Sequence, residues 1–436
     1  MRAFFNLAVA AATALVSQTL ALPIVVSPGT AGDLIITKEN TINGTASPNT
    51  DSPDSVANPL KVSLVNNFGG GQLNAYVTGQ DPSGSLVMLG TDGKWYRPDP
   101  QGSSVPVEIN ASIAIPMKGK GEATEFNLPD YISSGRIWVA EGKLKFFTVV
   151  AGDGSAQLVE PSAANPKDPS AAVNWGFVEL TNTEKGGIYA NISFVDFVGL
   201  VMGMSLTIGD GTKQTVKGLG QGAIDAICKE LKTQAGTDSQ PWDELCVTDA
   251  GGKSLRVVSP NLYLSTNAAA METYYDAYIE QVWAKYASTD LTINTQADAG
   301  KVACRVSGDT LTCAGDNRGY RRPTVADIWG CNSGAFEIRE SDNAVHRAVV
   351  PRLCAAFYRT TLLAEGGALQ PSLQADSYYK ADPTSHYSRI VHAHELDGKG
   401  YTFSYDDVNP DGENEAGVVS GMSPQTLEIT VGGFSS

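Results

Sequence analysis

The sequence contains few of the residues, and none of the motifs, from which several common catalytic and metal sites are built. It has only 4 histidines, and none of its 6 cysteines forms a CxxC pair or a Cys/His group with zinc spacing. A Gly-x-Ser-x-Gly elbow and a P-loop are also missing. These absences argue against a structural zinc site, an α/β-hydrolase nucleophile and a P-loop nucleotide site. We expect neither a metal nor a cofactor.

Positive charge is scarce as well. The 31 Lys and Arg residues face 47 Asp and Glu residues, which gives a formal net charge of −16. Nucleic acids and anionic membranes are bound by basic surfaces, so we expect neither as a partner. Beyond the first residues, the sequence also has no apolar run long enough to span a bilayer. A monomer that acts on a neutral polysaccharide is compatible with this composition.

The first 21 residues predict a secretory signal peptide. Arg2 precedes an apolar run that extends to Val16, and small residues around Ala21 offer a cleavage site. The alternative is a membrane anchor, but the run is shorter than the roughly 20 residues that a spanning helix needs. We therefore expect a secreted, extracellular protein.

The cysteine count supports this compartment. An even number of cysteines in a secreted chain predicts three disulfides, because oxidising compartments preserve such bonds. Fifteen connectivities are possible for six cysteines, and sequential pairing is the simplest of them. That pairing joins 228 to 246, 304 to 313 and 331 to 354.

Residues 22–58 are rich in Ser, Thr, Asn, Pro and Gly and poor in aromatic residues. A segment of this composition buries too little apolar surface to offset its ordering entropy, so we predict a flexible leader. N-glycosylation sequons begin at Asn43, Asn110 and Asn191.

The remaining chain predicts an α+β fold. Short alternating runs with Gly, Asn and Pro turns between them occupy residues 60–208, which is typical of an antiparallel barrel or sandwich. Helical spacing follows at 221–234, 268–286 and 343–365, and strand character returns from 389–394 onward. We therefore predict a mainly-β domain over 59–212 and 388–436. A mixed α/β domain with the disulfides is inserted at 213–387.

Two predicted strands each place a carboxyl group among apolar side chains. Glu179 shares one strand face with Trp175 and Thr181, and Asp196 has Val195 and Phe197 beside it. Apolar surroundings raise the pKa of a carboxyl group and allow it to act as an acid. Cleavage of a glycosidic bond needs two such groups, one as an acid and one as a base or nucleophile. Two carboxylates that only face solvent from neighbouring strands are the alternative.

The spacing of these two residues poses a geometric problem. A simple hairpin that turns near Lys185 places Glu179 opposite Asn191, which leaves Asp196 five residues further along its strand. At about 3.3 Å per residue that separation is too large for direct cooperation. A bend, a bulge or an asymmetric turn is therefore required.

Several motifs together resemble those of the β-1,3-glucanases of glycoside hydrolase family 64. They are Leu64-Val-Asn-Asn67, Asn74-Ala-Tyr-Val-Thr-Gly79, the strands at 175–181 and 191–197, Pro383-Thr-Ser-His-Tyr-Ser-Arg-Ile-Val-His-Ala-His394, and Tyr405-Asp-Asp-Val408. The resemblance implies a thaumatin-like β-barrel domain and a mixed α/β domain with a wide groove between them. Gly176 is a departure, because family members carry an acidic or polar residue there.

The same resemblance implies function. It predicts a secreted, fungal, inverting hydrolase that cleaves β-1,3-glucan to short oligosaccharides, with Glu179 as the general acid and Asp196 as the general base. Thr181 matches a threonine that contacts sugar in the groove.

Further substrate contacts come from residue type. Trp175 and Tyr387 are expected to stack on sugar rings, which have apolar faces, with packing in the core as the alternative, which is favoured for Trp175. His392 is expected to hydrogen-bond to sugar or to neighbouring residues. Two alternatives stay open. One is a glucan-binding protein without activity. The other is a metal-dependent enzyme, because His392 and His394 share a face if their segment is a strand.

Overall fold

The structure, a computed structural model, describes residues 22–44, 60–413 and 416–434. The predicted signal peptide and the second part of the predicted leader, 45–58, lie outside the described residues. Within the described ranges, none of the helices combines the length and the apolar character that crossing a bilayer requires.

Strands dominate the described chain. In chain order they are β1 (Ile24–Val25), β2 (Thr41–Asn43), β3 (Lys61–Asn66), β4 (Leu73–Gln80), β5 (Leu86–Leu89), β6 (Trp95–Tyr96), β7 (Val107–Glu108), β8 (Ile115–Pro116), β9 (Ala123–Asn127), β10 (Ile132–Glu141), β11 (Phe147–Val150), β12 (Ala156–Val159), β13 (Asn174–Thr183), β14 (Gly187–Asn191), β15 (Phe197–Val198), β16 (Met202–Ile208), β17 (Lys213–Val216), β18 (Cys246–Thr248), β19 (Ser254–Val258), β20 (Leu291–Asn294), β21 (Lys301–Ser307), β22 (Thr310–Cys313), β23 (Tyr320–Arg321), β24 (Leu369–Gln370), β25 (Val418–Gly421) and β26 (Pro424–Val431).

The α-helices of the described residues all lie in the second half of the chain. The α-helices are α1 (Ala223–Asp238), α2 (Pro260–Leu264), α3 (Asp276–Ser288), α4 (Val325–Gly330), α5 (Ala344–Tyr358) and α6 (His386–His394). Short 3-10 turns occupy Ala31–Asp33, Trp242–Leu245, Gly334–Phe336 and Ala375–Ser377.

Two sheets of the described chain form the main β-structure. One has the order β25-β14-β13-β10-β4-β5-β6, with β8 also paired to β4, and the other has the order β17-β16-β26-β3-β9. Strand β26 runs parallel to β3 and antiparallel to β16, so the end of the chain completes a sheet begun near residue 61. Val178, Met204 and Leu427 from these sheets belong to one hydrophobic core. The return of the chain end to the β-structure agrees with the sequence prediction.

The predicted helical region carries the disulfides. Cys228–Cys246, Cys304–Cys313 and Cys331–Cys354 are bonded, so the sequential pairing is confirmed. A smaller sheet of order β23-β22-β21-β20-β24 lies in the same region.

One predicted strand is wrong. Residues 389–394 belong to helix α6, which begins where the Ser385 side chain accepts a hydrogen bond from the Ser388 backbone. Tyr387, Ile390 and Val391 then occupy positions i, i+3 and i+4 and are all buried. This spacing matches one face of a helix. The short run His-Ala-His alternates as a strand does, so the sequence pattern predicts a strand for the segment.

The first part of the predicted leader is folded. Strand β1 pairs in parallel with β18, and β2 pairs antiparallel with β12. Val26 and Ile42 are buried in the main core. The edges of two sheets supply backbone partners that the composition of the segment does not reveal.

Candidate active site

Glu179, on strand β13, lines an open cavity. The cavity has a volume of about 550 Å³, and Thr181, Tyr189 and Asn191 line it together with Glu179. The Glu179 side chain keeps 33% of its surface exposed. Strand β13 alternates as predicted, because Val178 and Leu180 point to the core while Glu179 and Thr181 face the cavity.

Arg136 faces Glu179 from the neighbouring strand β10. The two residues are register partners, and Arg136 Nη2 lies 3.3 Å from Glu179 Oε1. The guanidinium group also stacks on the Phe177 ring at 4.6 Å and donates from Nη1 to Glu160 at 2.5 Å. These three contacts fix the position of the Arg136 guanidinium group beside the cavity.

The chain bends after strand β14 and brings Asp196 back beside strand β13. Glu179 is opposite Asn191, as the hairpin arithmetic predicts. Beyond Asn191 the backbone leaves the sheet: Phe194 N donates to Tyr401 O at 2.6 Å, and Ser259 N donates to Asp196 O at 2.8 Å. This is the bend that the spacing of the two carboxyl groups required.

Two glycines allow the returning segment to approach β13 closely. A Cβ atom at Gly176 would lie 2.8 Å from the Leu200 carbonyl oxygen, and one at Gly199 would lie 2.1 Å from the Trp175 carbonyl oxygen. Leu200 N donates to the same Trp175 oxygen at 2.9 Å. The unusual Gly176 is therefore explained, because a side chain there would push away the segment that carries Asp196.

Aromatic rings fix the same segment. The Phe197 ring lies 4.6 Å from the Trp175 ring and 5.7 Å from the Phe177 ring. Asp196 itself lines a narrow pocket of about 20 Å³ together with Arg136, Trp175 and Phe177. Arg136 thus borders both the Glu179 cavity and the Asp196 pocket.

Burial raises the pKa of Asp196 to about 6. The charge of Arg136 opposes this shift, whereas the charges of Glu179 and Glu39 add to it. The charge of Glu179 thus reaches the Asp196 carboxyl group. A carboxyl group with a pKa near 6 can exchange a proton in mildly acidic solution.

Glu160 is a buried partner that the sequence did not point to. Its side chain is fully buried, and it receives hydrogen bonds from Arg136 and from Thr78 Oγ1 at 2.8 Å. Burial raises the pKa of Glu160 against the opposing charge of Arg136. Glu160 therefore anchors Arg136 from below, while Glu179 contacts the other guanidinium nitrogen.

Comparison with known proteins decides the family. The model described as "Beta-1,3-glucanase", for glycoside hydrolase family 64, matches residues 58–431. The chain belongs to glycoside hydrolase family 64. Two relatives named "Glucan endo-1,3-beta-glucosidase", from Arthrobacter sp. (strain YCWD3) and Cellulosimicrobium cellulans, are each 25% identical over 382 residues. Those alignments cover 86% of this chain and 65% of each relative, so the chain spans less than two thirds of their length.

Solved family 64 structures share the fold. A laminaripentaose-producing β-1,3-glucanase in complex with laminaritetraose superposes with a TM-score of 0.74 and 29% identity, over 86% of this chain and 99% of that one. A family 64 β-1,3-glucanase domain from Clostridium beijerinckii has a TM-score of 0.67 and 20% identity, over 87% of this chain and 100% of that one. The relatives with a named source are bacterial, so a fungal source stays an expectation.

Two residues of the cavity wall are exposed and carry hydroxyl groups. Thr181 is exposed on the same face as Glu179, where the sequence prediction placed it. Tyr189 is its register partner on β14, is 46% exposed, and its hydroxyl lies 3.1 Å from that of Tyr401. Sequence reasoning missed Tyr189, although its place opposite Thr181 in the predicted hairpin was a usable signal.

The two predicted stacking residues lie in the core instead. Trp175 is 1% exposed and packs against Trp138 and Phe197 while the Arg256 guanidinium covers its ring at 5.2 Å. Tyr387 has no exposed surface, and its hydroxyl donates to Phe194 O at 2.6 Å. Neither offers an open ring face to a sugar. Tyr387 instead ties helix α6 to the bend that carries Asp196.

His392 is engaged by protein side chains. Its Nδ1 lies 2.9 Å from Glu395, and its Nε2 lies 3.0 Å from Asp406. Burial alone would lower the pKa of His392, but these two carboxylates raise it well above its usual value. The predicted sugar contact therefore has no unengaged ring nitrogen to use.

The metal alternative loses its geometric basis. His392 and His394 lie on a helix, where residues two apart point to different sides, and His394 pairs with Glu230 at 2.8 Å. Among the described residues, no group of three His, Cys, Asp or Glu side chains is arranged to hold a metal ion.

Proposed function

We propose that this chain is a secreted, inverting β-1,3-glucanase that releases short oligosaccharides, with a thaumatin-like β-domain. One observation carries the proposal: in a family 64 chain, Arg136 borders both an open cavity of about 550 Å³ that Glu179 lines and a narrow pocket that Asp196 lines. A cavity of this size is in the range of small-ligand sites. A β-1,3-glucan is the proposed substrate, in agreement with the names of the relatives.

In the proposed reaction, Glu179 is the general acid. It gives its proton to the glycosidic oxygen, so that the bond from that oxygen to the anomeric carbon breaks and the leaving chain departs as an alcohol. Arg136 engages Oε1 of Glu179 at 3.3 Å, and no other residue in the described part of the chain hydrogen-bonds to this carboxyl group. Oε2 is therefore the oxygen that we assign to the transferred proton.

Asp196 is the proposed general base. It removes a proton from a water molecule, and the water oxygen attacks the anomeric carbon from the face opposite the leaving group, which inverts its configuration. A pKa of about 6 makes Asp196 a stronger base than an ordinary aspartate once it is ionised. The narrow pocket of about 20 Å³ has room for about one water beside this carboxyl group.

Reducing ends released from linear β-1,3-glucan test the activity. We expect product with the wild-type chain, a loss of at least 100-fold with Glu179→Gln, and little change with Glu184→Gln, which alters an exposed carboxylate in the turn of the same hairpin. Proton NMR of the first products should show the inverted, α anomer. Retention on insoluble glucan without any product would instead support a binding protein.

A separate experiment tests the roles of the two carboxyl groups. An aryl glucoside with a good leaving group needs little help from an acid, so Glu179→Gln should keep far more activity on it than on glucan. Azide replaces the activated water, so it should restore activity to Asp196→Asn. If instead Asp196→Asn keeps activity on the aryl glucoside and azide restores activity to Glu179→Gln, then Asp196 is the acid and Glu179 is the base.

A further inference from the structure

The N-terminal segment 22–44 is an addition to the family 64 core. The family model begins at residue 58, so it does not include this segment. Strand pairing nonetheless anchors the segment at both ends, through β1 on β18 and β2 on β12. Asn165 Nδ2 adds a hydrogen bond to Asp33 O at 2.8 Å. The segment is therefore a built part of the folded protein.

A turn within this segment is fixed by the buried side chain of Asn40. Its Oδ1 accepts hydrogen bonds from the Thr37 backbone at 2.8 Å and the Thr37 hydroxyl at 3.1 Å, and its Nδ2 donates to Ile35 O at 2.9 Å. The Asn40 carbonyl accepts from Glu160 N at 2.8 Å. The turn is thus hydrogen-bonded to Glu160, whose side chain holds Arg136 in place.

Residues 37–43, which we call the N-terminal wall, border both carboxyl groups. Thr37, Glu39 and Asn40 line the pocket of Asp196. Thr41, Ile42 and Asn43 line the cavity of Glu179. The Glu39 carbonyl also accepts a hydrogen bond from Arg136 Nη1 at 3.4 Å.

The position of the wall restricts where a glucan chain can lie. Beside Asp196 it leaves about 20 Å³, which admits about one water and no sugar ring. Beside Glu179 it leaves about 550 Å³ and presents polar side chains to that space. Asn43 is held there by Gln157 Nε2, which donates to its Oδ1 at 2.5 Å, and by Gln80 Nε2, which donates to its carbonyl at 2.5 Å.

We propose that the N-terminal wall is a specificity-determining element of the glucan site. It closes the Asp196 side to sugar while it admits a water, and it contacts the bound glucan through Asn43 and Thr41. The closed side limits how many sugar rings extend past the scissile bond, and so it sets the length of the products. This inference rests on the proposed β-1,3-glucanase function.

Deletion of residues 22–44 and the substitution Asn43→Ala test the wall with linear β-1,3-glucan. The deletion should broaden the product lengths and at least double the share of the longer oligosaccharides. Asn43→Ala removes one hydrogen-bonding group, so it should raise KM about 2- to 10-fold while kcat changes less than 2-fold. Lys38→Ala is the matched control, because Lys38 is exposed on the same segment and lines neither pocket.

A second control distinguishes the effect of the Asn43 side chain from the effect of a glycan attached to it. Asn43 begins a sequon, so Thr45→Ala removes that sequon and keeps Asn43. A KM that rises with Thr45→Ala as much as with Asn43→Ala would overturn the side-chain contact.

The outcomes distinguish this inference from the function on which it rests. The specificity role of the N-terminal wall would be refuted if the wild type is active and a folded deletion variant gives the same products with the same KM. A faster deletion variant with unchanged products would also overturn it, in favour of an inhibitory strap. If the deletion variant does not fold, Asn43→Ala decides alone. A wild type that does not cleave glucan would instead refute the proposed function.

Discussion

The substitution Asp196→Asn should abolish glucanase activity and stabilise the folded protein at neutral pH. Burial raises the pKa of Asp196 from 3.8 to about 6. A shift of about 2 units corresponds to about 3 kcal/mol of free energy, at 1.36 kcal/mol per unit. Part of the Asp196 surface stays accessible to water, so we expect a gain of about 1–3 kcal/mol in the free energy of unfolding at pH 7.5.

The sign of this effect depends on pH. Below about pH 4 the Asp196 carboxyl group is protonated in both the folded and the unfolded chain, so its ionisation costs nothing. Between about pH 4 and pH 6 the unfolded chain loses the proton first, and ionisation favours unfolding. Above the folded pKa of about 6 the cost is complete. Asparagine cannot ionise, so the variant avoids this cost only at the higher pH.

Urea denaturation with intact disulfides, at pH 4 and at pH 7.5, measures the difference. Asp298→Asn serves as the control, because Asp298 is exposed on a loop far along the chain from the site. The control should change stability by less than about 0.5 kcal/mol at either pH. A gain that is the same at both pH values, or absent at pH 7.5, would refute the argument that burial strains the Asp196 carboxylate.

Three further predictions concern the surroundings of the carboxyl groups. Tyr387→Phe removes the donor to Phe194 O, so it should lower stability by about 1–2 kcal/mol and reduce kcat; unchanged thermal unfolding and kinetics would contradict this. Arg136→Gln leaves the buried Glu160 without its cation and should cost roughly 3–5 kcal/mol. The double variant with Glu160→Gln should recover most of that loss in urea denaturation, and no recovery would contradict the pairing. If Asp196 is the base, kcat/KM on glucan should fall as the pH drops below about 6, and a profile flat down to pH 4.5 would count against it.

Local pattern carried much of the fold from sequence alone. The alternation in β13 predicted the face of Glu179 and Thr181, and the turn near Lys185 predicted its register with Asn191. The even number of cysteines, paired in the simplest, sequential way, predicted the three disulfides. Helix α1 lies within four residues of its predicted range at both ends, and α5 begins one residue after its predicted start but ends seven residues before its predicted end. In each case the determining contacts are close in sequence.

The position of Asp196 could not be obtained in this way. Its bend is held by Tyr401, Ser259 and Tyr387, which lie about 60 to 200 residues away in sequence. A pattern within the strand cannot encode partners at that distance. The close approach between β13 and the segment after Asp196 is instead marked in the sequence by glycine at positions 176 and 199. A side chain at either position would collide with backbone. The departure from the family pattern at Gly176 was therefore evidence for the bend.

The N-terminal segment shows how composition can mislead about a segment beside a candidate active site. Its scarcity of large apolar residues predicts disorder only if the segment must form its own core. Here β1 and β2 borrow backbone hydrogen bonds from the edges of existing sheets, and Val26 and Ile42 enter a core that other residues have already built. The burial of only a few side chains is then enough to offset the conformational entropy lost when these short strands become ordered. Such a segment can be attached beside the proposed catalytic pair without any change in the residues that form the family 64 core.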